Sequence, residues 1–153
     1  MDMTIEGVVI KELTTHPDQR GFFREIIRVT DPFFNPGFGQ WSHSLMVDGV
    51  IKAWHIHQIQ TDYWYVATGV LRVGLWDCRA GSPTRGKTMD FRMGEGQPGR
   101  VVKIPPGVAH GCKVLKAPAN LIYMTTHIYN PADEGRIPED APKAAFDWTR
   151  EQA

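Results

Sequence analysis

The sequence has few of the features that mark secreted, membrane-spanning and nucleic-acid-binding proteins. Only two of its 153 residues are cysteines, Cys78 and Cys112, and their spacing matches neither a zinc finger nor a disulfide framework. Lysine plus arginine and aspartate plus glutamate number 17 each, so there is no broad basic field for nucleic acid. No run approaches the ~20 apolar residues of a spanning helix, and the N-terminus does not resemble a signal peptide. We therefore expect a cytoplasmic protein without disulfides, a membrane anchor or a nucleic-acid partner.

The length and composition predict one domain over residues 1–153. A chain of this length with 42% hydrophobic residues can build one core but not two typical ones. There are also no internal repeats, linkers or low-complexity segments that would mark a boundary between domains.

Short runs of β-branched and aromatic residues recur along the chain between glycine, proline, aspartate and asparagine, a pattern typical of an all-β protein. Two segments, 70–76 and 121–127, alternate so cleanly that each must present two distinct faces. A small barrel can turn the polar face of such a strand inward to line a cavity. Residues 130–153, rich in proline, alanine and charge, predict an irregular tail with at most one short helix.

Two separated motifs match the signature of the cupin, or jelly-roll, barrel. Residues 49–69 contain two histidines two positions apart, then a carboxylate and a closing glycine; residues 99–110 contain a Pro-Pro-Gly turn followed by a histidine. Residues two apart on a strand point to the same face, so the paired histidines can both enter the barrel. The residues that carry the chemistry of the two motifs are His55, His57, Asp62 and His110.

The spacing of these four residues leaves several functions open. Three imidazoles and a carboxylate can hold a divalent Fe, Mn, Ni or Zn ion, as in a metal-dependent dioxygenase or isomerase. An uncoordinated imidazole, whose pKa in water is about 6.5, is equally suited to act as a general base near neutral pH. The third interpretation is that the histidines only fill polar positions in the sheet.

Six ordered segments carry a more specific resemblance. They read HPDQRGFFRE (16–25), FGQWSHS (38–44), GVIKAWHIH (49–57), WDCRAGSPTRG (76–86), IPPGVAHG (104–111) and LIYMTTHIY (121–129). Together they resemble the dTDP-4-dehydrorhamnose 3,5-epimerase family, a metal-free branch of the cupin-like barrels. The resemblance implies a homodimeric enzyme of deoxysugar or polysaccharide biosynthesis that inverts C3, C5 or both in a nucleotide-linked 4-keto-6-deoxyhexose without a cofactor.

The resemblance also implies roles for individual residues. His55 is the base that removes the proton beside the keto group, and Tyr123 is the acid that returns one from the opposite face. Other residues of the matching segments would bind the substrate. The nucleotide end would be bound by Arg20, Phe23, Glu25 and Gln40, and the diphosphate by Lys52. His110 would contact the sugar or keto oxygen. Ser42 and His57 stand where the family has asparagine and glutamine.

The sequence departs from the family pattern at the expected partner of the base. Family members have a carboxylate after a C-terminal tryptophan that orients this histidine, whereas Trp148 is followed by Thr-Arg-Glu-Gln-Ala. We therefore expect Glu151, Asp62 or a partner subunit to supply the carboxylate. Asp62 lies near the position of a family lysine, and Glu139 stands where the family has tryptophan. These departures predict a different sugar end of the pocket, and they leave open a non-catalytic barrel that binds a nucleotide sugar.

Overall fold

The computed structural model describes residues 5–150, and the regular secondary structure of this part of the chain is almost entirely β-strand, as predicted. No helix within it is long and apolar enough to cross a membrane. The strands are β1 (Val9–Glu12), β2 (Thr15–Asp18), β3 (Gly21–Arg24), β4 (Gln40–Met46), β5 (Ile51–Ile56), β6 (Asp62–Asp77), β7 (Thr88–Gly94), β8 (Arg100–Ile104), β9 (Val108–Thr125) and β10 (Gly135–Arg136). Two 3-10 helices, Pro131–Asp133 and Pro142–Ala144, lie in the tail, one more than expected.

The two long antiparallel strands β6 and β9 form the frame of the barrel. β9 pairs with β5 in its first half and with β4 in its second, while β6 pairs with β8 near its start and with β7 after residue 70. Residues 62–67 and 70–77 are thus two halves of the single strand β6. They meet at Gly69, whose φ of +71° and close approach to the backbone of Lys116 and Pro118 leave no room for a side chain.

The irregular pairing around Gly69 changes which residues of β6 face inward. Before it, Trp64 and Val66 belong to the main core cluster; after it, the core residues are Leu71, Val73 and Leu75. One extra residue in a strand switches the side-chain parity, so both halves of β6 bury an apolar face. The alternation predicted for residues 70–76 is present.

The opposite face of β6 is covered by the C-terminal segment rather than by water. Trp148 packs edge-on against Trp54 at a ring-centroid distance of 5.1 Å. Gly74 makes this possible, because a Cβ there would lie 2.7 Å from the Trp148 ring. The buried Arg72 donates to the backbone carbonyl of Asp147 at 2.8 Å. The segment around Trp148 therefore covers the outer face of β6, whereas the inner face packs in the main core cluster.

A buried carboxylate at the end of β6 organises the following loop. Asp77 accepts hydrogen bonds from Arg79 Nε at 2.8 Å, Ser82 Oγ at 2.6 Å and Thr84 Oγ1 at 2.7 Å. Burial alone would raise the pKa of Asp77, but these hydrogen bonds outweigh it and hold the pKa well below its usual range. The ionised carboxylate is thus part of the folded structure.

We expect the Asp77→Asn variant to lose about 2 kcal/mol of unfolding free energy at neutral pH, since it weakens hydrogen bonds to a buried charge. A carboxyl whose folded pKa is depressed stabilises the protein above its unfolded pKa, and this contribution disappears as the pH falls below about 4. The difference between wild type and variant should therefore shrink in acid. Urea unfolding at several pH values measures it, with the exposed Asp48→Asn as control; a pH-independent difference would contradict this role.

Candidate active site

One end of the barrel holds a polar cavity of about 850 Å³, a volume that includes its open mouth. Strands β4, β5, β6 and β9 supply most of its walls. The inward side chains of these strands are mostly polar at this end and apolar in the main core cluster. The segment after β9 supplies the remaining wall. Among the polar side chains that line the cavity are Gln40, Lys52, His55, Asp62, His110 and Tyr123.

A register shift in β5 brings two predicted site residues into this cavity. Lys52 lies opposite Cys112 and His55 opposite His110 on β9, with an irregularity between the two pairs. Residues three positions apart on a regular strand would face opposite sides, so the shift allows both Lys52 and His55 to line the cavity. His57, just beyond the end of β5, lines it too, as its spacing from His55 predicts.

The carboxylate beside His55 is Glu134. Its Oε1 lies 3.1 Å from His55 Nδ1, and its Oε2 lies 3.9 Å from His57 Nδ1. Because a carboxylate is an acceptor, His55 Nδ1 carries the proton and Nε2 is left as the basic nitrogen. Both side chains are mostly buried, with 30% and 21% of their surfaces exposed.

Backbone pairing and a side-chain clamp fix the position of Glu134. Strand β10 places Gly135 opposite Ile56, immediately beside the histidine segment. The Asp133 carboxylate accepts hydrogen bonds from the backbone amides of Gln58 at 2.7 Å and Gln60 at 3.1 Å. The segment that carries Glu134 is thus tied to the loop that follows β5.

Glu134 was not among the residues that the sequence suggested as partners of His55. Asp62, one of the suggested substitutes, instead faces His57 and His110, and Glu151 lies outside the described residues. The contact between Glu134 and His55 spans 79 positions, and no local pattern marks it. Only the pairing of β10 with β5 would have revealed it.

His57, Asp62 and His110 form a second, buried group in the same cavity. Their ligand atoms all lie within 4.8 Å of one another. Asp62 Oδ1 is 4.0 Å from His57 Nε2, and Asp62 Oδ2 is 3.7 Å from His110 Nε2. His57 Nδ1 donates to the Asp133 carbonyl at 2.8 Å and His110 Nδ1 to the Val108 carbonyl at 3.2 Å. Each ring therefore presents the lone pair of Nε2 towards Asp62.

Burial favours the neutral form of His110. It lowers the pKa of this imidazole, although the nearby carboxylate of Asp62 acts in the opposite direction. A neutral His110 can accept a hydrogen bond or coordinate a cation through Nε2, but it is a poor proton donor.

Tyr123 lines the cavity as predicted, and its surroundings keep it protonated. Burial raises the pKa of the phenol, and the negative charge of Asp62 raises it further. Its hydroxyl shares a hydrogen bond with Ser42, which also accepts one from Gln40 Nε2 at 3.0 Å. Ser42 therefore supports the tyrosine rather than lining the cavity itself. A protonated tyrosine at this position can donate a proton.

Besides Ser42, three predicted substrate-binding residues do not line the cavity of their own chain. Arg20 forms an exposed ion pair with Asp18, and Glu25 forms one with Arg28. Phe23 is 63% exposed on the β2–β3 hairpin, which is a separate two-stranded sheet. In contrast, Gln40, Lys52, His55, His57, His110 and Tyr123 all meet around one cavity.

The barrel and its cavity are typical of cupin-type proteins, and comparison with known proteins identifies the family within that class. The structure superposes on a dTDP sugar isomerase from Desulfovibrio desulfuricans G20 with a TM-score of 0.91 and 29% identity, covering 99% of this chain and 97% of that one. This confirms the cupin-type barrel and places the chain among the carbohydrate isomerases. The family model for dTDP-4-dehydrorhamnose 3,5-epimerase matches residues 2–153. The chain therefore belongs to the dTDP-4-dehydrorhamnose 3,5-epimerase family, as its motifs indicated, and is an epimerase of this type.

Two further relatives are similar to this chain over almost its whole length. The spore coat polysaccharide biosynthesis protein SpsL of Bacillus subtilis (strain 168) is 46% identical over 150 residues, 96% of this chain and 98% of that protein. The Legionella pneumophila epimerase RmlC, solved in complex with dTDP-4-keto-L-rhamnose, has a TM-score of 0.88 and 31% identity, with 97% of this chain and 81% of that one covered.

Proposed function

We propose that this chain inverts C3, C5 or both in a nucleotide-linked 4-keto-6-deoxyhexose, with His55 as base and Tyr123 as acid. The observation that carries the proposal is the cavity in which a histidine oriented by Glu134 and a protonated tyrosine occur together. The complex of the Legionella relative with a dTDP-4-keto sugar supports the choice of substrate.

At each carbon that is inverted, the reaction is two proton transfers through one enolate. Nε2 of His55 takes the proton from the carbon next to the 4-keto group, and the electron pair moves to the carbonyl oxygen. Hydrogen-bond donors or positive charge near that oxygen stabilise the enolate. Tyr123 then gives its proton to the same carbon from the other face, so the configuration inverts. No electrons are gained or lost overall, and the chemistry needs no redox cofactor.

The charged residues of the cavity suggest how the substrate is oriented. Asp62 is buried, whereas Lys52 is exposed. The Nζ atom of Lys52 lies 3.3 Å from Ser44 Oγ, at the mouth of the cavity. The diphosphate would therefore lie near Lys52 at the mouth, with the sugar deeper beside His55. Such a substrate is a cytoplasmic metabolite, and we propose that this single-domain protein works in that compartment.

Deuterium incorporation tests the proposed reaction. We expect dTDP-4-keto-6-deoxyglucose incubated with the protein in heavy water to acquire deuterium at C3, C5 or both, with inversion detected by NMR. UDP-, GDP- and CDP-linked 4-keto sugars would identify the nucleotide. No exchange with any of them would overturn the proposal, and tight binding without exchange would indicate a sugar-nucleotide-binding barrel instead.

We further propose that the enzyme is a homodimer in which the β2–β3 hairpin of one chain completes the cavity of the other. The hairpin exposes Phe22 and Phe23, with 58% and 63% of their surfaces accessible. Strand β4 pairs with β9 alone among the described strands, so its outer edge can accept another strand. Gln40 lies on β4 at the cavity, and a partner's hairpin on this edge would bring Arg20 and Phe23 to the mouth.

Subunit complementation tests this arrangement. The variants His55→Asn and Arg20→Ala/Phe23→Ala should each show little activity at low substrate concentration. After co-refolding in equal amounts, about one quarter of the sites should be intact, because half of the dimers are mixed and each has one complete site. Recovered activity would support a hairpin that acts on the partner. Its absence in mixtures shown by mass spectrometry to contain mixed dimers would mean that the hairpin does not.

A further inference from the structure

The group formed by His57, Asp62 and His110 is not used by the proton transfers described above. These three side chains are between 3% and 8% exposed, which is unusual for a carboxylate and two imidazoles. They nevertheless line the cavity and can be reached through its mouth. In the family resemblance described above, His57 stands in place of a glutamine and Asp62 lies near the position of a lysine. Both departures come together with His110 at one point in the structure.

The hydrogen bonds of the two imidazoles leave the Nε2 atoms of His57 and His110, which are acceptors, facing the carboxylate oxygens of Asp62, which are acceptors too. Nδ1 of His57 and Nδ1 of His110 each donate to a backbone carbonyl, so both Nε2 atoms direct lone pairs at the Asp62 oxygens. The separations of 4.0 and 3.7 Å are too long for direct hydrogen bonds. Lone pairs of this kind attract a cation, and a carbonyl on the other ring nitrogen is the usual outer partner of a metal-bound histidine.

We propose that His57, Asp62 and His110 bind one divalent transition-metal ion in the wall of the cavity. Metal–ligand bonds of about 2.0–2.2 Å place neighbouring ligand atoms roughly 3.0–3.5 Å apart. The present spacings, which are at most 4.8 Å, therefore need to contract by no more than about 1.8 Å. Two imidazoles and a carboxylate suit Zn²⁺, Mn²⁺, Fe²⁺, Co²⁺ or Ni²⁺ and leave further positions open to the cavity. His55 is not a member of this site, because Glu134 holds it.

The side-chain amide of Gln60 occupies the place between His57 and Asp62 that the metal ion would take. Its Nε2 donates to Asp62 Oδ1 at 2.8 Å and approaches His57 Nε2 at 3.4 Å. This amide bridges the two residues in the metal-free protein, and the ion displaces it from Asp62. Trp64 Nε1, which donates to Asp62 Oδ2 at 3.2 Å, would keep the carboxylate oriented.

The proposal is tested by titration with Co²⁺. The untagged protein is first treated with a chelator to remove bound metal and is then titrated. We expect one ion per chain by calorimetry, together with the visible absorption of protein-bound Co²⁺. In His57→Gln and Asp62→Asn, binding should weaken by about tenfold or more, because each loses a direct ligand. The control His43→Gln removes an exposed histidine outside the cavity and should bind Co²⁺ as the wild type does.

Equal Co²⁺ binding by all four proteins, or none by the wild type, would overturn the metal site. Thermal melts without metal show whether each variant is folded, and His57→Gln keeps the test valid if Asp62→Asn does not fold. The readout is the bound ion and not turnover. Deuterium exchange by the same samples is measured separately, so failure of the metal site and failure of the epimerase proposal can be told apart.

Discussion

Replacement of His55 by asparagine is expected to slow deuterium exchange at the sugar carbon by about 1,000-fold, within the usual range for loss of a general base. Asparagine can still hydrogen-bond to Glu134 and fills a similar space, so the barrel should remain folded. The lost function is the basic Nε2, which asparagine cannot replace. Exchange rates from NMR time courses at saturating substrate measure the effect directly.

The control for this experiment is His43→Asn. His43 is an exposed histidine on β4 whose ring nitrogen lies 2.6 Å from Asn120 Oδ1, and it does not line the cavity. It should exchange deuterium at the wild-type rate. If His55→Asn, shown to be folded by circular dichroism, also retains most of the wild-type rate, another group must be the base.

The second large effect is expected from Glu134→Gln, with a decrease in kcat of about 100-fold. The glutamine oxygen can still accept the proton on His55 Nδ1, so the imidazole stays oriented. The negative charge that stabilises the imidazolium during proton transfer is lost. KM should change by less than about threefold, because Glu134 acts through His55 and not through contact with the substrate.

Two further variants separate positioning from other roles of Glu134. Glu134→Asp keeps the charge and should recover part of kcat, whereas Glu134→Ala loses both charge and orientation and should be slower than Glu134→Gln. The exposed Glu95→Gln, whose carboxylate pairs with Lys116 and does not line the cavity, is the matched control and should leave kcat unchanged. A large rise in KM with unchanged kcat in Glu134→Gln would show that Glu134 binds the substrate instead.

The residues whose position in the cavity follows from the sequence are placed there by short-range rules. Alternation on β9 places Tyr123 on the inner face, and motif spacing brings His55, His57 and His110 to the same end of the barrel. Asp62 follows from the same motif, although its role could not be chosen from spacing alone. Its neighbours in the structure, His57 and His110, associate it with the proposed metal site and not with His55.

Glu134 could not be predicted because its position depends on long-range pairing. The two-residue strand β10 carries no hydrophobic pattern, and it is placed by its pairing with β5, just over half the chain away in sequence. The hairpin residues illustrate the opposite problem. Arg20 and Phe23 belong to a matching motif, yet a motif does not say whether a side chain serves its own chain or a neighbour. Assembly depends on surfaces that only the fold brings together.

The central claim is that His55 and Tyr123 act on the two faces of one sugar ring. The most direct test is the stereochemistry of exchange by Tyr123→Phe in heavy water. Without the tyrosine proton, the enolate should receive deuterium back from His55 on its original face, because the imidazole exchanges with solvent. We predict substrate that carries deuterium with retained configuration, whereas the wild type gives deuterated, inverted product. Inversion by Tyr123→Phe at the wild-type rate would contradict the account.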